Sequence, residues 1–209
     1  MKKYVFFDFN GTVIDDINLA LDVLNMMLRK YEYKEKTRKE YLDAFGFPVY
    51  DYYDKVFDLS KESFDVLAAE FTDLYYNVCK TPVPIHEGFY QVIDWLHING
   101  IKCVLLSATK QDLLERQIKT YKLEGCFDYV IGVRDIYATS KIKFGINFMK
   151  ENNINPIDCI MIGDTIHDAE VSKALGIDFL IYTKGHQSRH RLIEYKLIDN
   201  LVEALNYLE

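Results

Sequence analysis

Short apolar segments alternate along this chain with segments whose apolar residues recur at helical spacing. The apolar segments are rich in β-branched, aromatic and other large side chains, and they lie at residues 4–9, 102–107, 128–133, 159–163 and 178–182. They show little polar alternation, as is typical of parallel strands buried on both faces. Helical patterns connect them, so the order predicts an α/β fold: a Rossmann-like, doubly wound parallel sheet.

The segment from residue 16 to residue 83 departs from this alternation. Its apolar residues follow helical spacing only, first over 17–28 and again over 64–75. Thr37 and Glu40 have the spacing of a capping box at a helix start. The pattern predicts an all-helical cap of residues 16–83, inserted into a core that comprises residues 1–15 and 84–209.

The composition and charge of the chain exclude several classes of binding partner. The chain has 209 residues, 49% of them hydrophobic, and a net charge of −7, which argues against a sequence-independent nucleic-acid binder. No apolar run approaches the length of a membrane span. The four cysteines form no C-x-x-C pair and have no zinc spacing, and Cys103 and Cys159 lie in apolar runs. We therefore expect a cytoplasmic protein without nucleic-acid or membrane partners, whose cysteines at 103 and 159 pack in the core.

Reactive side chains follow the predicted strands. Asp8 ends the first strand and Ser107 the second, Lys141 opens the helix after the third, and Asp164 and Asp168 follow the fourth. The carboxyl ends of parallel strands share one edge of the sheet, so these groups should converge there. Three ionised carboxylates require a cation, and their hard oxygen atoms indicate Mg²⁺. A carboxylate beside Mg²⁺, a lysine and a hydroxyl is equipment for phosphoryl transfer through an acyl-phosphate.

Four sequence motifs occur in a familiar order. "DFNGTVID", "LLSAT", "TSKIKFGI" and "IGDTIHD" resemble the motifs of the haloacid-dehalogenase-like (HAD) superfamily. The resemblance covers essentially the whole chain and is to the phosphatase branch with a helical cap after the first strand, including its phosphoglycolate-phosphatase-like members. It implies a HAD-like core and a small phosphorylated metabolite as substrate.

The resemblance also implies roles for individual residues. Asp8 would be the nucleophile, and the catalytic set would be Asp8, Asn10 and Lys141. Mg²⁺ would be bound by Asp8, the backbone carbonyl of Asn10, Asp164 and Asp168. The phosphate would be held by Ser107, Ala108, Lys141, Asn10 and Gly11. Lys143 is the alternative lysine if the motif is shifted by two residues.

Asn10 departs from the family pattern, because most phosphatases of this superfamily carry an aspartate there as general acid and base. An amide exchanges no proton, and a positioned acid or base contributes roughly 10²–10⁴ to a rate. We therefore predict a Mg²⁺-dependent hydrolase of phosphate monoesters that forms an aspartyl-phosphate and turns over slowly. The alternative is a catalytically attenuated HAD-like protein that binds or senses a phosphorylated ligand. Asn10→Asp is predicted to raise turnover.

Further assignments concern residues in or near these motifs. His167 is interpreted as an exposed helix residue rather than a metal ligand. His186 either lines the site or ends a loop. Aromatic side chains over 45–57 are predicted to pack inside the cap, and the loop at 46–48 is the first candidate for substrate specificity. The sequence leaves the substrate open, and also whether the protein is a monomer or a homodimer.

Overall fold

The protein is described here by a computed structural model, which covers residues 1–78, 82–137 and 140–208. These residues form a six-stranded parallel sheet with the strand order β3-β2-β1-β4-β5-β6. The strands are β1 (Tyr4–Phe7), β2 (Lys102–Lys110), β3 (Tyr129–Val133), β4 (Cys159–Gly163), β5 (Asp178–Tyr182) and β6 (Leu197–Ile198). The predicted Rossmann-like parallel sheet is therefore confirmed.

The central position of β1 determines where the chemistry lies. Phe7 pairs with Leu105 of β2 on one side and with Ile162 of β4 on the other. The next residue, Asp8, donates its backbone N–H to the carbonyl of Ile162. Asp8 consequently lies at the carboxyl edge of the sheet, between the ends of the two neighbouring strands, where ligands bind in open parallel sheets.

Helices cover the sheet and form the region between β1 and β2. The helices between β1 and β2 are α1 (Ile17–Lys30), α2 (Arg38–Ala44), α3 (Val49–Val56) and α4 (Phe64–Val78). The helices of the core are α5 (Phe89–Ile98), α6 (Gln111–Thr120), α7 (Ile142–Glu151) and α8 (Ile166–Leu175). Thr37 and Glu40 form the predicted capping box at the start of α2.

Each face of the sheet packs against its own helices. In β1, Val5 and Phe7 face the cluster formed with α5 and α6, whereas Phe6 faces the cluster formed with α7 and α8. Successive strand side chains point to opposite faces, so both sets are buried. Burying one such side chain contributes about 1.5–3 kcal/mol. This two-sided burial explains why the strands lack polar alternation.

Helices α1 to α4 pack around a separate hydrophobic cluster. Tyr41, Tyr52, Tyr53 and Phe57 are each less than a tenth exposed within it. Packing inside the helical region, as predicted for the aromatic segment 45–57, is thus observed for its buried members. Phe45 and Phe47 are half-buried and pack at the margin of this cluster or beyond it.

The sequence missed some elements. Strand β2 continues to Lys110, three residues beyond the predicted end at Ser107, and its pairing with β3 shifts between Leu106 and Lys110. Helix α6 was missed because few of its residues are apolar, and β6 because it has only two residues. Cys103 and Cys159 are buried as expected, while Cys79 lies outside the described residues. Within the described ranges, every helix is too short or too polar to cross a membrane.

Candidate active site

Lys141 lies at the centre of the acidic cluster. It is 1% exposed, and its Nζ atom contacts Asp8 Oδ1, lies 2.7 Å from Asp168 Oδ1 and donates to the carbonyl of Leu106 at 2.9 Å. Lys141 immediately precedes α7, so the start of that helix positions the side chain. Lys143 is exposed, and the structure therefore brings the first of the two candidate lysines to Asp8.

Three buried carboxylates meet around this lysine. Asp8, Asp164 and Asp168 place ligand oxygens within 4.8 Å of one another. Asp164 Oδ1 accepts from Thr12 Oγ1 at 3.1 Å, and its Oδ2 accepts from the backbone N–H of His186 at 2.7 Å. These contacts orient the carboxylate of Asp164 toward the other two.

Asp168 is fixed by the start of α8. Its Oδ2 accepts from the N–H and the hydroxyl of Thr165, at 3.0 and 2.7 Å, and forms a capping box with that residue. Its Oδ1 is buried and lies 2.7 Å from Nζ of Lys141, and it accepts no hydrogen bond from any other described residue. One oxygen of Asp168 is thus paired with the lysine alone.

The electrostatics of the cluster differ from residue to residue. Burial, with the charges of Asp168 and Asp164, raises the pKa of Asp8 to about 8, although Lys141 opposes this rise. Burial raises the pKa of Asp164 to about 6. For Asp168, burial also favours the neutral acid, but Lys141 and Thr165 outweigh it and lower the pKa. A divalent cation would favour the ionised form of all three.

The donor set fits Mg²⁺. Its oxygen atoms are hard ligands, they belong to three buried carboxylates, and they lie within 4.8 Å of one another. The cluster contains no thiolate or imidazole ligand, which zinc sites normally use. The residues therefore suit the ion that the sequence indicates.

Gly11 occupies a position that excludes a side chain. Its φ is +75°, and a Cβ atom would lie 2.4 Å from Asp164 Oδ2 and 2.5 Å from His186 Cδ2. Its N–H donates to Asp16 Oδ1 at 2.8 Å and to the carbonyl of Ile14 at 2.9 Å. That donor is already engaged by two oxygen acceptors, and the role of Gly11 in holding phosphate stays a prediction.

Asn10 is held by side chains from both parts of the molecule. Its Nδ2 donates to Asp16 Oδ2 at 2.8 Å and to the hydroxyl of Tyr75 at 3.1 Å. Its Oδ1 accepts from Thr109 Oγ1 at 3.2 Å. The hydroxyl of Tyr75 also donates to Asp16 Oδ2 at 2.8 Å. Both ends of the amide are engaged, which fixes its orientation beside Asp8.

His186 forms a buried ion pair with Asp16. The His186 side chain is nearly fully buried, with Nε2 3.0 Å from Asp16 Oδ1 and Nδ1 hydrogen-bonded to the hydroxyl of Tyr41 at 2.8 Å. Burial opposes the charge on His186, but Asp16 outweighs it and raises the pKa to about 9. Burial likewise opposes ionisation of Asp16, yet His186 and the hydrogen bonds to it lower its pKa.

The sequence left His186 undecided and did not identify Asp16, Tyr41 or Tyr75 as members of the site. The two adjacent aspartates at positions 15 and 16 could have indicated Asp16 in the sequence. The two tyrosines had no such signal, because tyrosine is frequent throughout this chain.

Ser107 and Ala108 lie near the end of β2, and their role in holding phosphate stays a prediction. Ser107 is 2% exposed, and its hydroxyl oxygen accepts from the N–H of Thr109 at 3.1 Å. Both residues line the same cavity as Asp8 and Lys141. They belong to the irregular end of β2, where its pairing with β3 shifts.

A cavity of about 200 Å³ lies between these core residues and helices α1 to α4. Phe47, in the 46–48 loop, lines it and stacks on His167 at a ring distance of 4.6 Å. The expectation that His167 is exposed is wrong: it is 7% exposed, because Phe47 covers the start of α8. Its pKa is lowered by burial and by Lys141. The loop at 46–48 thus reaches the site.

Comparison with known proteins identifies the family of the chain. A sequence profile of haloacid dehalogenase-like hydrolases matches residues 5–182. The chain is 22% identical over 180 residues to the pyrophosphatase PpaX of Halalkalibacterium halodurans, covering 83% of this chain and 80% of that protein. It is 23% identical to PpaX of Bacillus mycoides, covering 98% and 95%.

Solved structures share the fold. A haloacid dehalogenase-like family hydrolase from Streptococcus pneumoniae superposes with a TM-score of 0.82 and 16% identity, covering 100% of this chain and 99% of that one. A "predicted phosphoglycolate phosphatase" from Haemophilus somnus gives a TM-score of 0.79 and 11% identity, covering 100% and 98%. With the profile match spanning most of the sequence, the chain belongs to the haloacid dehalogenase-like hydrolase family.

Proposed function

We propose that this protein is a Mg²⁺-dependent phosphatase that hydrolyses a small phosphate monoester through an aspartyl-phosphate on Asp8. The observation that carries the proposal is the buried contact between Asp8 and Lys141 at the floor of the cavity. A carboxylate poised beside a fixed cation suits attack on a phosphoryl group whose oxygens carry negative charge. The names of the relatives, pyrophosphatase and phosphoglycolate phosphatase, support phosphate chemistry in general.

The side chains divide the work. A carboxylate oxygen of Asp8 forms a bond to phosphorus, and the bond from phosphorus to the ester oxygen breaks. The leaving group departs as an alkoxide that takes a proton from water, since Asn10 supplies none. Lys141 neutralises charge on the transferring group, and Ser107 with the backbone of Ala108 holds its oxygens. Water then cleaves the acyl-phosphate, which releases inorganic phosphate and regenerates Asp8.

Asp8, the backbone carbonyl of Asn10, Asp164 and Asp168 would hold Mg²⁺. When bound, the ion would neutralise phosphoryl charge and favour the ionised carboxylate of Asp8. Hydrogen bonds hold the carboxylates in place. Thr12 and the N–H of His186 orient Asp164, and Thr165 orients Asp168.

The proposed slow turnover follows from Asn10. Its Nδ2 donates to Asp16 and its Oδ1 accepts from Thr109, so the amide orients the site without exchanging a proton. The same hydrogen bonds of Asn10 are compatible with the alternative function, a protein that binds a phosphorylated ligand and hydrolyses it poorly.

Phosphate release from a panel of phosphorylated metabolites, with Mg²⁺ or with EDTA, tests the proposal. We expect Mg²⁺-dependent release that Asp8→Asn abolishes, and a phosphorylated Asp8 peptide after acid quenching. Release that survives Asp8→Asn would contradict the proposed nucleophile. A compound that raises the unfolding temperature without being consumed would support the binder instead.

A further inference from the structure

The wall of the cavity opposite Asp8 is aromatic. Helices α3 and α4 and the loop before α3 supply it with Phe45, Phe47, Tyr52, Tyr53, Phe64 and Phe71. These residues belong to the region inserted between β1 and β2, whereas the charged groups come chiefly from the core. A substrate bound with its phosphate at Asp8 would therefore place its leaving group against aromatic rings.

Positive charges at the cavity are already paired. Among the described residues that line it, Lys141 lies 2.7 Å from Asp168, His186 lies 3.0 Å from Asp16, and Lys110 lies 3.0 Å from Asp112. His167 is 7% exposed, and its ring stacks on Phe47 at 4.6 Å. In the buried part of the cavity, a second anionic group on the substrate would lose its hydration without gaining a free cation among the described residues, which is costly. The pair of Lys110 and Asp112 is a surface pair, with side chains 38% and 64% exposed.

Tyr52 offers one unused polar group. Its side chain is 3% exposed and lines the cavity, yet its hydroxyl has no hydrogen-bond partner among the described residues. Buried hydroxyls are normally paired. Burial raises the pKa of Tyr52, so it remains a neutral phenol that can donate or accept a hydrogen bond. This unpaired group indicates a ligand with a polar substituent, and the pairing of Lys141 and His186 indicates that the substituent is uncharged.

The size of the cavity limits the leaving group. An apolar cavity of roughly 150 Å³ holds a benzene ring, and this cavity measures about 200 Å³. One ring is consistent with that volume.

We infer that the substrate is the phosphate monoester of an uncharged aromatic alcohol with one ring, whose polar substituent hydrogen-bonds to the hydroxyl of Tyr52. The inference rests on the proposed phosphatase function and adds the class of leaving group. It differs from what the names of the relatives suggest, because phosphoglycolate and pyrophosphate both carry a second anionic group.

Benzyl phosphate, the three hydroxybenzyl phosphates, phosphoglycolate and pyrophosphate are the probes. Benzyl alcohol and glycolate are both weakly acidic alcohols, so leaving-group acidity does not dictate their ranking. We expect at least a tenfold higher kcat/KM for the best benzyl compound than for phosphoglycolate or pyrophosphate. The reverse order overturns the inference and leaves the phosphatase function standing.

Tyr52→Phe tests the specific contact. One hydrogen bond of ordinary strength corresponds to a roughly 3- to 10-fold effect. The preference for the best hydroxybenzyl phosphate over benzyl phosphate should fall by that factor, chiefly through KM. Tyr50→Phe is the matched control, because Tyr50 lies on the same helix, is 50% exposed and does not line the cavity. A preference retained in Tyr52→Phe overturns the assignment of this residue.

Binding separates the two proposals when turnover is absent. Thermal unfolding with each probe in Mg²⁺ reports recognition without hydrolysis. Stabilisation by the benzyl compounds but not by phosphoglycolate supports the leaving-group class even if no phosphate is released, an outcome that removes only the catalytic proposal. Stabilisation by phosphoglycolate alone, or by none of the probes, overturns the inference.

Discussion

The side-chain amide of Asn10 donates a 2.8 Å hydrogen bond to Oδ2 of Asp16. The same oxygen of Asp16 accepts from the hydroxyl of Tyr75, and its other oxygen accepts from the N–H of Gly11 and contacts His186. An aspartate at position 10 would bring a second acceptor oxygen to this carboxylate. The amide therefore suits its neighbour, and Asn10 and Asp16 form a matched donor and acceptor.

Because of this pairing, we expect Asn10→Asp to raise turnover substantially only when Asp16 is also replaced. Alone, Asn10→Asp should destabilise the protein by about 1–3 kcal/mol, since two buried acceptors then face each other, and should improve turnover little. In Asn10→Asp/Asp16→Asn the donor and acceptor exchange places, and turnover should rise more than tenfold above wild type. Steady-state phosphate release and urea unfolding measure both effects.

Asp16→Asn alone is the control for the double substitution, because it removes the charge without adding an acid at position 10. Both variants with Asn at position 16 also lose the charge that pairs with His186, so activity decides the test. If Asn10→Asp by itself were as active as the double variant, the matched pair would have no functional meaning.

Lys141 is expected to matter for both stability and activity. Lys141→Met leaves Asp8 and Asp168 without their buried cation, and breaking a buried pair costs about 3–5 kcal/mol. Phosphate release should fall at least 100-fold, as is typical when transition-state charge loses its partner. Lys143→Met changes an exposed lysine of the same helix and should stay within about 0.5 kcal/mol of wild type. Equal effects of the two substitutions would refute the role of Lys141.

Gly11→Ala tests whether the backbone of Gly11 lies too close to Asp164 and His186 to accept a side chain. Gly11 and Gly100 both have positive φ, +75° and +68°, so alanine is strained at either position. Only at Gly11 does the new Cβ meet other atoms within 3 Å, whereas nothing lies within 4 Å at Gly100. We expect Gly11→Ala to cost about 1–3 kcal/mol more than Gly100→Ala in chemical unfolding. Similar losses of unfolding free energy in the two variants would mean that the site accommodates the new methyl group without strain.

The ion pair of His186 and Asp16 predicts a pH dependence of stability. The pKa of folded His186, about 9, exceeds its ordinary value of 6.5. Its stabilising contribution is therefore complete below about pH 6.5 and is lost as the pH rises through 9. The lowered pKa of Asp16 adds stability that disappears only as the solution becomes strongly acidic.

Urea unfolding of wild type and His186→Gln at pH 6 and pH 9.5 measures this contribution. The difference in unfolding free energy should shrink by up to about 3 kcal/mol at the higher pH. His190→Gln changes a side chain that is 69% exposed, and its difference from wild type should be the same at both pH values. If the difference in unfolding free energy were the same at both pH values, His186 would stabilise the fold through packing and neutral hydrogen bonds and not through its charge.

The sequence by itself determined the sheet and the gathering of Asp8, Ser107, Lys141, Asp164 and Asp168. Each of these residues lies near the end of a strand, follows it, or belongs to the start of the next helix, and parallel strands direct their carboxyl ends to one edge. Their convergence therefore depends only on the order of elements along the chain, which the hydrophobic pattern reveals.

Only the tertiary structure decided which side chains surround Asn10. Asp16, Tyr75 and Tyr41 come from the helical region, and His186 joins them from beyond β5, 170 residues from Asp16. Their contacts depend on how helices α1, α2 and α4 rest against the edge of the sheet, and helical periodicity shows which face is apolar but not what that face meets. For the same reason the sequence predicted His167 to be exposed, although Phe47, from a loop 120 residues earlier in the chain, covers it.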